Sequence, residues 1–178
     1  PNGTAQARMR GAAIALACVE RLQRIEAHGT GTALGDPMEV GSLEQALGEV
    51  RPCISSVKSD LGHTEPGAGL VGFLVLAGFS AQRMRPVNGK LRTLNPLLDP
   101  PNRGMGALMP SQGVQLTTVN TAAGVSSFGY SGTIAHAVLI NETTATTLMA
   151  SSCNQPILQR RSFAWFRLPH LSARQCSN

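Results

Sequence analysis

The run from Pro66 to Phe79 constrains this chain more than any other feature. It is apolar throughout, carries no charge and contains four glycines. A bilayer span needs roughly 18–20 apolar residues, so the run is too short to cross a membrane and reads as a core helix. Because it is apolar nearly all round, that helix is expected to lie buried between layers rather than on a surface.

The rest of the chain alternates short β-prone and helical stretches. Residues 5–19, AQARMRGAAIALACV, are alanine-rich and predict a helix. LQRIEA at 22–27 predicts a brief strand, and Cys53–Val57 a second one. Asp36-Pro37-Met38-Glu39 reads as a helix start, with Asp36 as N-cap, Pro37 at the first position and Glu39 completing a capping box. That helix should stop at Gly48. The proline-rich stretch 86–113 predicts extended loops. VQLTTVN at 114–120 and Ile134–Ile140 read as paired strands, with Gly124–Gly132 as a glycine-spaced turn between them. Beyond Asn141 the pattern is lost. The expected organisation is therefore an α/β domain over 1–141 and a Thr/Ser-rich, then basic, tail or linker over 142–178.

Charge and composition exclude several functions. Residues 1–150 carry 11 Lys+Arg against 10 Asp+Glu, and residues 151–178 carry four Arg and no acid. The basic excess thus belongs to the tail, and the nearly neutral body gives no reason to expect nucleic acid. Aromatics at 4% are too few for a base-stacking surface. Cys18, Cys53, Cys153 and Cys176 form no CxxC pair and show no zinc spacing. A chain of 178 residues needs no disulfides, so a reducing intracellular compartment, cytoplasm or plastid, is expected. The chain begins at Pro1 with no visible signal peptide and is expected to be a portion of a longer protein.

Two histidines occupy loops between a predicted strand and a predicted helix. His28 lies in Glu26-Ala27-His28-Gly29-Thr30-Gly31-Thr32, and His63 in Lys58-Ser59-Asp60-Leu61-Gly62-His63-Thr64-Glu65. Such loops carry the active sites of α/β folds, and the adjacent glycines let a substrate approach the backbone. A neutral imidazole can donate to a developing oxyanion or accept a proton. Two of them with the Lys58 ammonium could stabilise negative charge in a transition state. A lone histidine in a glycine-rich loop is ordinarily solvated or structural, and that reading stands beside the catalytic one for each. Thr30 and Thr32 fit loop capping as well as ligand contact. His136, inside a strand, reads as structural. No third ligand accompanies His28 and His63 at close spacing, so no metal is expected. The segment 124–128 is not a G-x-S-x-G elbow, and Gly-Thr-Gly-Thr is not a P-loop.

Three of these segments carry a resemblance. Glu-Ala-His-Gly-Thr-Gly-Thr-Ala-Leu-Gly-Asp-Pro-Met-Glu at 26–39 resembles the first histidine motif of β-ketoacyl synthases, in the form found in type I polyketide synthases. Ser-Val-Lys-Ser-Asp-Leu-Gly-His-Thr-Glu at 56–65 resembles the second. Gly-Val-Ser-Ser-Phe-Gly-Tyr-Ser-Gly-Thr at 124–133 resembles their C-terminal glycine-rich loop. The resemblance implies the C-terminal half of a thiolase-like fold: a mixed sheet sandwiched by helices, part of a five-layer αβαβα core. It implies an acyltransferase that performs decarboxylative Claisen condensation of an acyl thioester with a malonyl-type extender. It also implies that the nucleophilic cysteine lies outside this chain, which alone would be inactive.

By the same resemblance His28, His63 and Lys58 are the expected catalytic residues. Thr30 and Thr32 are expected to contact a pantetheine arm. The Tyr130 backbone N–H would complete an oxyanion hole, with its side chain as an aromatic gate. No cofactor is expected to bind directly; the phosphopantetheine arm of an acyl carrier protein would be substrate. Expected partners are that carrier protein, the missing N-terminal half and a second copy in a homodimer, with neither nucleic acid nor membrane. A fatty-acid β-ketoacyl synthase and a non-catalytic thiolase-fold partner protein remain alternatives. This sequence has Ser131-Gly132 where the family usually has Gly-Gly, so a positive φ at Ser131 would be strained.

Overall fold

The computed structural model describes residues 2–81, 87–98, 104–113 and 121–141. They fall within one compact unit, Pro1–Thr143. The segment 114–120, expected as a strand, and the tail 142–178 lie outside the described residues.

Helix α1 (Gly3–Leu16) is capped by Asn2, whose side chain accepts from the Ala5 N–H at 3.0 Å. It ends earlier than the alanine-rich run suggests, because Cys18 adopts a positive φ of 52°. Strand β1 (Arg24–Glu26) follows, then α2 (Gly35–Leu47), β2 (Cys53–Ser55), the single turn α3 (Lys58–Leu61) and α4 (Ala68–Ala81). The long connection contains a 3₁₀ turn at Pro96–Leu98, and the chain returns as β3 (Thr121–Phe128) and β4 (Ile134–Asn141).

The start of α2 differs from the expected capping box. The helix begins at Gly35, its cap position is Leu34, and no side chain caps it there. Instead, Thr32 Oγ1 accepts the Gly35 N–H at 3.2 Å, and Asp36 Oδ1 reaches back to the Gly31 N–H at 3.2 Å. Glu39 is drawn to the His28 loop rather than to its own helix end. The C-terminal stop stands as expected, at Gly48 with φ 60°.

The glycine-spaced segment differs as well. Residues 124–128 are strand, not turn, and the tight connection is confined to 129–133. The small side chains suit a strand packed closely on both faces: a Cβ at Gly124 would meet the His136 ring at 2.7 Å. The expected strain at Ser131 does not arise, because the positive φ falls on Gly132, at 97°.

The four strands form one mixed sheet in the order β2-β1-β3-β4. β1 pairs in parallel with β2 and β3, aligning Ile25 with Ile54 and with Gly124. β3 and β4 form an antiparallel hairpin, with Ser126 opposite His136. Side chains alternate between faces, and the core divides accordingly. On one face Ile25 and Ile54 pack with Val40 and Leu43 of α2. On the other, Ala123 and Val125 pack with Leu76 of α4. Helix α4 approaches the sheet through Gly69, facing Ser127, and Gly72, facing Glu26. Its far side is not covered: Leu70 and Leu74 are 64% and 60% exposed, and Phe73 is exposed as well. The expectation of a helix covered all round is thus met on the sheet side only. Among the described residues no helix is long and apolar enough to cross a membrane.

Candidate active site

The C-terminal ends of β1 and β2 deliver the two histidine segments to one edge of the sheet, where ligands gather in α/β folds. The His28 and His63 rings stand edge to face with centroids 5.4 Å apart. Phe128, at the end of β3, packs its ring 5.1 Å from that of His28. Each imidazole accepts a backbone N–H at Nδ1: His28 from Phe128 at 3.3 Å, His63 from Glu65 at 2.8 Å. A neutral ring whose Nδ1 accepts carries its proton on Nε2. Both histidines therefore present an Nε2–H donor. Burial, reinforced by the nearby Lys58 and His63, pushes the His28 imidazole down to about 4, so it is neutral at pH 7.

Glycine at position 29 is required by this geometry. Its φ is 45°, and a Cβ there would lie 2.7 Å from Ser56. The loop is held by buried Glu39, whose two oxygens accept the N–H groups of His28 and Gly29, each at 2.9 Å. A second buried carboxylate serves the other segment. Glu26 accepts from the Val57 N–H at 2.6 Å and from Ser55 Oγ at 2.8 Å, fixing the turn that starts α3. Burial raises the proton affinity of both carboxyls. For Glu39 the Arg10 charge opposes this, followed by the Gly29 and His28 N–H groups; for Glu26 the Val57 N–H opposes it, followed by the Ser55 hydroxyl and Lys58. Burial likewise lowers the Lys58 ammonium, against the pull of Glu26 and Glu39.

The structure places most of the expected residues around one cleft of about 870 Å³, lined by His28, His63, Thr30, Thr32, Phe128 and Tyr130. Lys58 stands apart from it. It lines a neighbouring cleft of about 580 Å³, which shares His63 and Thr30 with the first. Lys58 thus acts on His28 through its field, not by contact with the first cleft. Thr32 is engaged in holding Gly35, which is the loop-capping role, and its hydroxyl lies 3.4 Å from that of Thr30. Tyr130 sits in the β3–β4 turn with its ring fully exposed. Cys18 is exposed and Cys53 is buried, and neither lines the cleft.

Sequence reasoning missed Glu26 and Phe128, and gave Glu39 only a capping role. The signal for Glu26 was an acid beside apolar Ile25 in a strand whose three residues are all buried. Among the described residues no group of His, Cys, Asp and Glu could hold a metal ion.

Residues 1–86 match the family described as beta-ketoacyl synthase, C-terminal domain. Residues 1–86 thus belong to the β-ketoacyl synthase family as its C-terminal domain. The chain is 38% identical over 146 residues to a phenolphthiocerol/phthiocerol polyketide synthase of Mycobacterium tuberculosis. It is 32% identical over 146 residues to 6-methylsalicylic acid synthase of Penicillium patulum. Each match takes in 78% of this chain and 8% of the relative. Among solved structures, the oxazolomycin ketosynthase domain of Streptomyces albus superposes with a TM-score of 0.75 at 31% identity, over 82% of this chain and 28% of that one. Ketosynthase twelve of the bacillaene polyketide synthase of Bacillus amyloliquefaciens gives 0.73 at 29% identity, over 80% and 27%. The mixed sheet with flanking helices is accordingly the C-terminal part of a thiolase-like ketosynthase domain of the polyketide synthase type.

Proposed function

We propose that this chain supplies the histidine half of a ketosynthase centre performing decarboxylative Claisen condensation on the polyketide pathway. The observation that carries the reading is the pair of edge-to-face imidazoles with both Nδ1 atoms occupied by backbone N–H groups. Two imidazoles that line one cleft with Nδ1 already engaged suit a thioester oxygen on which enolate charge develops, because an Nε2–H donor stabilises it without bringing a competing counter-ion. In this reading a malonyl-type extender arrives on the phosphopantetheine arm of an acyl carrier protein. Loss of CO2 leaves the electron pair of the broken carbon–carbon bond as an enolate, held by His28 and His63. The enolate carbon attacks an acyl thioester on a cysteine supplied from outside this chain, and the cysteine thiolate leaves. Thr30 lines the path of the arm, the Tyr130 N–H contributes to the acyl oxyanion site, and Lys58 tunes the field. The 178-residue chain alone is then an inactive part, completed by an N-terminal half and paired with a second copy. The polyketide synthase relatives favour this pathway over fatty-acid synthesis.

The test is condensation by a ketosynthase completed with an N-terminal half. His28→Ala and His63→Ala should each slow condensation on the order of 10²–10³-fold, with acyl transfer to the cysteine far less affected. Near-normal condensation by His63→Ala would sink the two-donor reading.

A further inference from the structure

Arg10 is fully buried on α1. A guanidinium taken out of water is costly unless its donors are used, and here they are. Nη2 donates to Glu39 Oε1 at 3.0 Å and to Ser126 Oγ at 3.1 Å. Nη1 donates to Ser42 Oγ and, at 3.5 Å, to the Glu39 carbonyl. Nε reaches Ser126 Oγ at 3.4 Å, and Cζ lies 5.3 Å from the centre of the Phe128 ring.

These partners are also the groups that grip His28. Glu39 takes the His28 and Gly29 N–H groups, and Phe128 gives its own N–H to His28 Nδ1. Ser126 is two residues before Phe128, on the same face of β3. The guanidinium therefore ties α2 and β3, the two elements that hold the imidazole, to a common point on α1. We propose that Arg10 is a positioning residue for His28: by clamping Glu39 and the Ser126–Phe128 end of β3, it keeps Nδ1 on the Phe128 N–H and leaves Nε2–H to the cleft.

An aliphatic residue of similar size would fill the space and remove the desolvation cost, but it would strip Glu39 of its counter-ion. Burial favours the protonated Glu39 carboxyl and Arg10 opposes this. Without Arg10, Glu39 would take up a proton, and a neutral carboxyl is the weaker acceptor for the two loop N–H groups. The loop would loosen and admit water to His28. Lys58 and His63 also bear on His28, and both remain in every variant below.

The inference rests on His28 being a donor in condensation, so its first test reads the imidazole directly. Diethyl pyrocarbonate acylates unprotonated imidazole. His28 modification in a ketosynthase completed with an N-terminal half, followed by peptide mass spectrometry against pH, should show a midpoint near 4. Arg10→Met should move it up toward the ordinary 6.5, and Arg10→Lys, which keeps the charge without the fork, should move it less. The double variant Arg10→Met, Glu39→Gln strands no charge and should fold, again with a raised midpoint. A folded Arg10→Met or double variant that keeps a midpoint near 4 overturns the proposal, whatever its thermal stability. In the completed ketosynthase, Arg10→Lys should lower kcat for condensation by up to about 10²-fold with little change in KM, as a small misplacement of a catalytic group does. Unchanged kcat in Arg10→Lys, where His28→Ala is slow, also overturns it. If His28→Ala itself condenses normally, the proposed function fails, and the modification midpoint still decides the role of Arg10.

Discussion

On one face of the sheet α1 and α2 enclose an arginine, a glutamate, two serines and a histidine in a continuous hydrogen-bonded set. On the other face α4 presses Leu76 onto Ala123 and Val125 and leaves Leu70, Phe73 and Leu74 in solvent. The first face invests in geometry. Its groups are costly to bury and tolerate few rearrangements, and they end at His28. The larger apolar cluster, around Ile25, Ile54 and Leu43, also lies on this side. The second face buries a smaller one, Leu76, Ala123 and Val125, whose contacts are non-directional, beside the hydrogen-bonded Glu26 and Ser55, and its outer side is an apolar surface suited to being covered. The polar face is the one that fixes His28, whereas the apolar face supports the sheet and contributes Glu26 beneath Lys58.

The largest break in this comparison should come from Glu39→Ala. It leaves the Arg10 charge buried without its carboxylate and frees two loop N–H groups, so chemical denaturation should show a loss of roughly 3–5 kcal/mol. On the apolar face Leu76→Ala should cost roughly 2–5 kcal/mol by the same measurement, toward the lower end because the open side of α4 lets the site relax. A loss for Leu76→Ala larger than for Glu39→Ala would reverse the ranking of the faces. A smaller effect separates them by pH. Burial, with Arg10 adding to it, lowers His136 to about 4 from an ordinary 6.5. The unfolded chain therefore takes its proton first as pH falls, so the stability present above 6.5 is lost on the way to about 4. His136→Gln should flatten this slope by at most about 1.4 kcal/mol per pH unit. The buried carboxyls titrate alike in both proteins and cancel. An unchanged slope would mean that His136 is not held neutral by its surroundings. The smallest effect should come from Leu70→Gln and Leu74→Gln on the outer side of α4. Stability should move within about 0.5 kcal/mol, while sedimentation shows less self-association. A large loss of stability would show that this side is already covered.

Local signals made much of the fold legible. The alanine-rich α1, the Gly48 stop, the uncharged α4 and the β-prone 134–140 run each declare themselves within a few residues. The histidine motifs could be read because glycine and small residues crowd both loops for steric reasons that sequence displays directly. What could not be read depends on distant partners. Asp36 looks like a helix cap, yet the loop it closes lies upstream, and Glu39 is claimed by His28 and by Arg10. Gly124 looks like punctuation, yet it is in a strand because His136 and Leu22 occupy the space a side chain would need. Arg10 looks like an ordinary surface arginine on an alanine-rich helix. Only its 116-residue reach to Ser126 shows otherwise.

The strand order also dictates when His28 can be assembled. Its loop is synthesised early, but the Phe128 N–H that it accepts is added 100 residues later. At cellular elongation rates that interval is roughly 5–20 s. Until then β1 has β2 on one side and an unpaired edge on the other, a template for any extended segment nearby. A nascent chain of this kind spends those seconds with the strand that leads to His28 unpaired along one edge, and the β3–β4 hairpin is what closes it.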